Sequence, residues 1–242
     1  MVHLMMRAVP GLPGADDALA AIDAFAAREP QQVIAFSVLG GRADVGLMAI
    51  GPDLGALDGL VKRVLRGPFE AVYSFVSLTE LSEYTSTEDD ERGRLEAEGA
   101  ADVEARLAEW RTRMEVYREA RLHPRLPARA MIAFYPMSKR RDEGANWYEL
   151  SFEDRKRLMG GHARVGRGYA GRILQLITGA TGLDDWEWGV TLLADDPAAI
   201  KEIVYEMRFD EVSSRYAEFG PFFVGLVMEP RAALARAGLL GT

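Results

Sequence analysis

The sequence predicts an α+β fold made of two β-α-β-β-α-β units whose sheets pack together with their helices outside. Three observations predict it. Residues 43–65 align without gaps, at an offset of 143, with residues 186–208, and the pair shares Gly46/Gly189, Asp53/Asp196 and Val61/Val204. Each window runs from an apolar strand pattern through a Gly/Asp/Pro turn into an amphipathic helix pattern. The same order of elements then continues on both sides of each window.

In the first unit the pattern gives strand 2–9, helix 15–28, strand 32–39, strand 44–50, helix 54–66 and strand 71–82. In the second it gives strand 130–138, helix 151–168, strand 172–179, strand 186–194, helix 197–207 and strand 215–228. Pro197 suits the first helical position behind a capping Asp196. The chain therefore divides into an N-terminal half (1–82), a linker (83–129) and a C-terminal half (130–242). The linker opens as an acidic loop, "EYTSTEDDERGR". It continues as a helix with Val103, Leu107, Trp110, Met114 and Tyr117 on one stripe, which predicts a buried face. That face docks on its own chain or on another subunit.

Composition narrows the chemistry. Of 242 residues, 48% are hydrophobic, enough for a substantial core. With no cysteine, disulfides, thiolate metal sites and cysteine nucleophiles are excluded. No apolar run approaches the roughly 18 residues of a membrane span, and "MVHLMMRAVPG" is broken too early by Pro10 to be a signal peptide. The expectation is a cytoplasmic protein. A net charge of −8 disfavours nucleic acid and anionic membranes as partners. The basic runs at 139–141 and 155–157 are either a solvated face or a contact for an anionic small molecule. No G-x-S-x-G, Walker loop, H-E-x-x-H or EF-hand pattern occurs. Asp184, Asp185 and Glu187 read as a turn entering a strand, with metal carboxylates the alternative.

The chain has three histidines. His3 falls in the first strand near the chain end, and His123 lies in the proline-bounded loop "LHPRLP". His162 sits in helix 151–168 on the stripe of Leu158, Met159, Val165 and Tyr169, and so points inward. A core histidine with one hydrogen bond satisfies that pattern. Two features favour another role. Gly160, Gly161, Gly166 and Gly168 crowd the helix at up to ~1 kcal/mol each relative to alanine, which leaves room for a large flat group. Arg121, Lys139, Tyr148, Arg208 and Ser213 supply anion-binding groups around it. An imidazole beside a wide cavity with a charged rim suits haem-type iron bearing carboxylates. In "AFYPMSKRRDEGANWYEL", Tyr135 precedes a proline and is biased to extended backbone. It is either core or a phenol whose ordinary pKa of ~10 suits redox chemistry better than base catalysis.

These residues carry a resemblance. "FYPMSKRR", "NWYEL", "GHARVGRGYAGR", "QLITGATGLDDWEWGVTL" and "VYEMRFDEVSSRYAEFGPFFVG" resemble coproheme decarboxylase, the haem-synthesis branch of the chlorite dismutase-like proteins. The likeness is dense over 121–228, is a matter of element order over 1–82, and lapses in the linker. It implies duplicated ferredoxin-like halves forming a dimeric α+β barrel, a homopentameric ring, and a site confined to the C-terminal half. It implies that iron-coproporphyrin III is both substrate and redox centre, with no separate metal. Hydrogen peroxide removes two propionate carboxyls as carbon dioxide to leave haem b.

By the same resemblance His162 is the proximal iron ligand and Tyr135 the tyrosine that becomes a radical and attacks the first propionate. Lys139 stands beside the reacting propionates, Met137 is a wall neighbour, and Gln175 is the distal glutamine. Arg121, Arg208 and Ser213 contact propionates, and Tyr148 is added by proximity. Glu187 and Glu211 are candidates for the partner of His162. Chlorite dismutases carry a distal arginine where Gln175 stands, so chlorite chemistry is the less favoured alternative, beside a non-enzymatic haem carrier. A coproporphyrin ferrochelatase is the implied porphyrin donor.

Overall fold

A computed structural model of the chain describes residues 1–241. Its contacts form two units, Met1–Leu78 together with the chain from Leu126 onward, and Thr79–Arg125. The first unit begins with β1 (Val2–Ala8), α1 (Ala15–Ala26), β2 (Gln32–Val38), β3 (Val45–Ile50), α2 (Leu54–Val64) and β4 (Phe69–Val76). A two-residue strand, β5 (Leu78–Thr79), marks the boundary, and the second unit holds α3 (Glu88–Ala97) and α4 (Val103–Leu122). The first unit resumes with β6 (Met131–Lys139), a small hairpin of β7 (Arg141–Asp142) and β8 (Ala145–Asn146), and a 3-10 turn at Trp147–Glu149. Then come α5 (Phe152–Arg167), β9 (Ile173–Gly179), β10 (Trp188–Ala194), α6 (Pro197–Met207) and α7 (Glu211–Tyr216). β11 (Ala217–Phe219), β12 (Phe223–Met228) and α8 (Pro230–Arg236) complete it.

The strands form an antiparallel sheet in the order β4-β1-β3-β2-β12-β6-β10-β9. β12 joins the halves, pairing β2 through Gly225↔Val38 and β6 through Phe223↔Phe134. Strand alternation then gives each half two faces. Met5, Phe36, Met48 and Phe75 of the first half meet Ile132, Phe134, Leu176 and Leu193 of the second in one shared core. The opposite face of the first half packs under α1, α2 and α8. That of the second half packs under α6 and Tyr169, which follows α5. Asp53 and Asp196 cap α2 and α6, accepting from Gly55 N–H at 2.7 Å and Ala198 N–H at 2.9 Å. The shared glycines have a reason in packing: a Cβ on Gly46 would lie 2.1 Å from the Phe36 ring, and one on Gly189 would lie 2.5 Å from Phe75.

Four expectations need correction. The acidic stretch expected as a loop is largely helical, because Thr87 and Asp90 form a reciprocal capping box and Glu88–Glu91 sit at the positive end of α3. Arg92 and Glu104 then tie α3 to α4 at 2.5 Å, and Arg111 pairs with Glu88. The α4 stripe is only partly buried: Leu107 is fully covered, but Tyr117 is exposed. The single strand expected at 215–228 is split. Residues up to Tyr216 are helical, and the chain breaks at Gly220–Phe222, where Pro221 lacks a donor for the ladder and Gly220 presses on Pro136. His3 is not at a loose end. It is fully buried in the shared core, stacked on Phe134 at 3.9 Å with Nε2 2.9 Å from Thr191 Oγ1. Burial pushes its imidazole down to about 3, so it stays neutral.

Gly46→Ala drives a methyl into the immobile Phe36 ring, so it is expected to lose ~1–3 kcal/mol of stability by overpacking. Gly59→Ala, in α2 with nothing within 4 Å of the added Cβ, gains up to ~1 kcal/mol from helix propensity. Urea unfolding of both variants checks the pair.

Candidate functional site

The outward face of the second half holds the candidate site. Across β6, β10 and β9 the register forms rows: Met137–Trp188–Gly179, Tyr135–Val190–Ile177 and Ala133–Leu192–Gln175. Alternation therefore puts Met137, Tyr135 and Gln175 on one wall, which packs against α6. Gln175 reaches that layer, its Nε2 donating to Gly166 O of α5 at 3.0 Å.

His162 projects from α5, which starts at the Ser151 cap. Its side chain is 27% exposed, against full burial for His3, so the core histidine of this protein is His3 and not His162. His162 Nδ1 lies 2.9 Å from Asp210 Oδ2. With Asp210 as partner at Nδ1, Nε2 is the ring nitrogen left to bind a metal. Asp210 is itself held by its helix: it caps α7, with Oδ1 accepting from Val212 N–H and Oδ2 from Ser213 Oγ, each at 2.9 Å. Burial pushes its carboxyl up, but the bonds from His162, Ser213 and Val212 outweigh this and hold it below the usual carboxylate value.

Neither of the partners anticipated for His162 fills that role. Glu211 faces Arg215 at 3.9 Å, and Glu187 is engaged elsewhere. The sequence signal for Asp210 was an Asp-x-x-Ser cap pattern opening a helix that merged with the expected strand. Ser213 is accordingly a donor to Asp210 in this structure rather than a free hydroxyl.

Tyr135 stacks on Phe222 at 4.3 Å and meets Phe219 edge-on at 5.9 Å. Burial pushes its phenol up to about 12, with the nearby Arg208 opposing. Arg208 caps the C-terminus of α6 and lies over the Phe219 ring at 6.0 Å. Lys139, 8% exposed, places Nζ 4.4 Å from the centre of the Trp147 ring. Burial pulls its ammonium down to about 8, and Asp210 and Glu187 offset part of that. Tyr148 donates to Glu187 Oε1 at 2.6 Å, and its hydroxyl is pushed up by burial and by that carboxylate.

The segment from Arg208 to Ser213 thus gathers three groups: Arg208 beside Tyr135, Asp210 on His162, and Asp210 near Lys139. Arg121 belongs to the helical unit, where its guanidinium donates to Glu80 O at 3.4 Å. Among the described residues no cluster of three or more His, Cys, Asp or Glu suits a metal ion, and no helix is long and apolar enough to cross a membrane.

The site's donor set fits an iron porphyrin with acidic arms. It offers one imidazole nitrogen backed by a carboxylate, bare helix at Gly160 and Gly161 where an added Cβ meets nothing within 4 Å, and cations at Lys139 and Arg208. Comparisons with known proteins point the same way. The chlorite dismutase family model matches residues 15–228. The chain is 43% identical over 197 residues to the coproheme decarboxylase of Staphylococcus carnosus, covering 80% of this chain and 72% of that one. It is 41% identical over 216 residues, 86% of its length, to a Haloarcula marismortui protein named as heme-binding, but spans only 30% of that protein. The chain spans about a third of the archaeal relatives it matches.

Among solved structures, a heme-binding protein from Thermus thermophilus superposes with a TM-score of 0.76 at 35% identity, covering 98% of this chain and 94% of that one. A mutant chlorite dismutase from Candidatus Nitrospira defluvii gives 0.70 over 98% of this chain and 94% of that one. Its identity is 14%, which speaks for the fold alone. Matched over most of its length by the family model and by these relatives, the chain belongs to the chlorite dismutase family.

Proposed function

We propose that this protein is a peroxide-dependent coproheme decarboxylase, converting iron-coproporphyrin III to haem b by removing two propionate carboxyls. The observation that carries the reading is the phenol of Tyr135 on the sheet wall, with Lys139 four residues further along the same strand and His162 on the covering helix. A haem carrier needs only the imidazole. Identity to the Staphylococcus protein supports the same choice.

Each residue then has a physical task. His162 would hold the iron through Nε2, with Asp210 fixing the ring by accepting from Nδ1–H. An iron porphyrin held there would supply the oxidising equivalents from peroxide. Burial keeps Tyr135 protonated to about pH 12, so at neutral pH it is a hydrogen-atom donor and not a base. Having lost that atom it takes one from the propionate carbon next to the ring. Carbon dioxide then leaves as the vinyl double bond forms, and the one electron this releases would be taken up by the oxidant that peroxide supplies. Per vinyl group, one propionate and one hydrogen peroxide give carbon dioxide and two waters, counting one proton taken up by the carboxylate. Lys139 and Arg208 bind the carboxylates, arginine through its rigid fork. Gln175 would offer a neutral amide to the porphyrin from the sheet side in place of its present bond to Gly166 O. The reading includes assembly into a homopentamer in the cytoplasm and receipt of substrate from a coproporphyrin ferrochelatase.

Incubation of the protein with iron-coproporphyrin III and peroxide is expected to yield haem b through a three-carboxylate intermediate, read by mass spectrometry. Tyr135→Phe keeps porphyrin binding and stops product formation; normal turnover in that variant would sink the mechanism. A carrier would return the porphyrin unchanged, and a chlorite dismutase would evolve oxygen from chlorite.

Asp210→Ala frees the imidazole and removes the α7 cap. Haem affinity is expected to fall ~10–100-fold, followed by absorbance titration, and stability by ~0.5–2 kcal/mol.

Lys139 gives a pH signature. Its folded pKa lies below the unfolded one, so between about pH 8 and 10.5 the unfolded chain binds more protons and wild-type stability rises with pH. Lys139→Met removes a buried charge and is expected to stabilise the porphyrin-free protein by roughly 1–3 kcal/mol at pH 7. That advantage shrinks as pH rises through the window, which denaturant melts at several pH values would show.

A further inference from the structure

Outside the groups given a task above, one buried charge stands out. Glu187 is 5% exposed, in the loop entering β10. A carboxylate this deep needs several donors to offset its lost hydration. It has three, and all come from one short segment: Lys139 N–H at 2.7 Å to Oε2, and the Tyr148 hydroxyl at 2.6 Å and the Arg141 guanidinium to Oε1. Its own N–H is shared between Met137 O at 3.1 Å and Ser138 Oγ at 3.2 Å.

The segment from Lys139 to Tyr148 is otherwise an excursion. It leaves the sheet at the end of β6, turns back at Gly144 with φ +74°, and rejoins at the 3-10 turn before α5. Its internal ladder is two residue pairs, Arg141↔Asn146 and Asp142↔Ala145. It is also steadied by Arg140 N–H to Tyr216 O and Trp147 N–H to Arg140 O, each at 2.9 Å, by the pairing of Lys139 with Ala217, and by the Arg215 guanidinium donating to Gly144 O at 3.0 Å. Trp147 is buried and forms the plate on which the Lys139 ammonium rests. A two-pair hairpin is not stable by itself, so its place is set by what it is tied to, and Glu187 is the one group bonded to its first strand, its exit turn and Lys139 together.

We propose that Glu187 is a positioning residue for the porphyrin site, its carboxylate fixing Lys139 and the 140–148 hairpin in the register that presents cations to the substrate's carboxylates. The proposal rests on the decarboxylase reading for its substrate but not for its geometry. Arg141 remains two-thirds exposed while paired with Glu187, so it stays within reach of an incoming carboxylate and does not collapse onto the protein. Glu187 thereby acts through Lys139 and Arg141 and touches no substrate itself.

The test uses two variants and two ligands. Glu187→Gln keeps the carbonyl that accepts from Tyr148 and Arg141 but turns an amide N–H towards the Lys139 N–H, breaking that bond. Tyr148→Phe removes one donor and leaves the carboxylate. Iron-free coproporphyrin III and its uncharged tetramethyl ester are titrated into each by fluorescence, and hydrogen exchange is followed over residues 139–148 in the ligand-free protein. We expect Glu187→Gln to weaken the free acid ~10-fold and the ester less than ~2-fold, as loss of a charge-directed hydrogen bond would. Exchange over 139–148 should quicken in both variants, while β10 and β9 stay protected. Equal weakening of acid and ester would mean a general packing role and overturn the proposal, as would unchanged exchange over 139–148. Because neither readout requires turnover, both stand whether or not wild-type protein makes haem b.

Discussion

Strand β6 has to serve two environments at once, and the rest of the molecule follows from that constraint. Ile132 and Phe134 point into the dry core shared by both halves. Tyr135 and Met137 point the other way, into the layer under α6. A slip of one residue would exchange these sets and put a phenol into the core. The register is held from both sides, by β10 along its length and by β12 at Phe223↔Phe134. The stack of His3 on Phe134 fills the inner face, so the outer face is free to carry chemistry.

Polar groups in that outer layer are placed by carboxylates, each fixed by its own backbone context. Asp210 is pinned because it caps a short helix, and it passes that rigidity to the His162 ring. Glu187 is pinned by a loop, and it passes rigidity to the hairpin after β6. Lys139 lies near both, which is why an ammonium survives at 8% exposure. Each carboxylate costs desolvation and offsets it with several short bonds. The result is a set of side chains that are ordered before any ligand arrives, which reduces the conformational cost of binding.

Much of this was legible in one dimension. Apolar alternation and the Asp-Pro cap located β10 and α6 within a residue or two, and the offset between the halves located Gly46 and Gly189. His162 was singled out by its glycine-rich helix, and Tyr135 by the proline behind it. Less legible were features that depend on which distant groups meet. His3 looked peripheral because it stands near the end of the chain, yet antiparallel pairing of β1 with both β3 and β4 carries it to the centre. The acidic stretch at 83–94 looked like a loop because its charge was counted without the Thr87–Asp90 cap that makes acidic residues favourable there.

Local pattern alone determined the α+β class, most of the order of strands and helices, and the absence of thiol chemistry. These follow from periodicity and composition, which act over a few residues. Tertiary structure decided that Asp210 and not a glutamate backs His162, that Ser213 serves that carboxylate, and that Glu187 gathers Lys139, Arg141 and Tyr148. Those pairings join residues 39 to 48 positions apart, or depend on a cap whose helix hid inside a strand-like run. Hydrogen bonds of a few ångströms are set by where the sheet and helices come to rest, and no spacing along the chain encodes that.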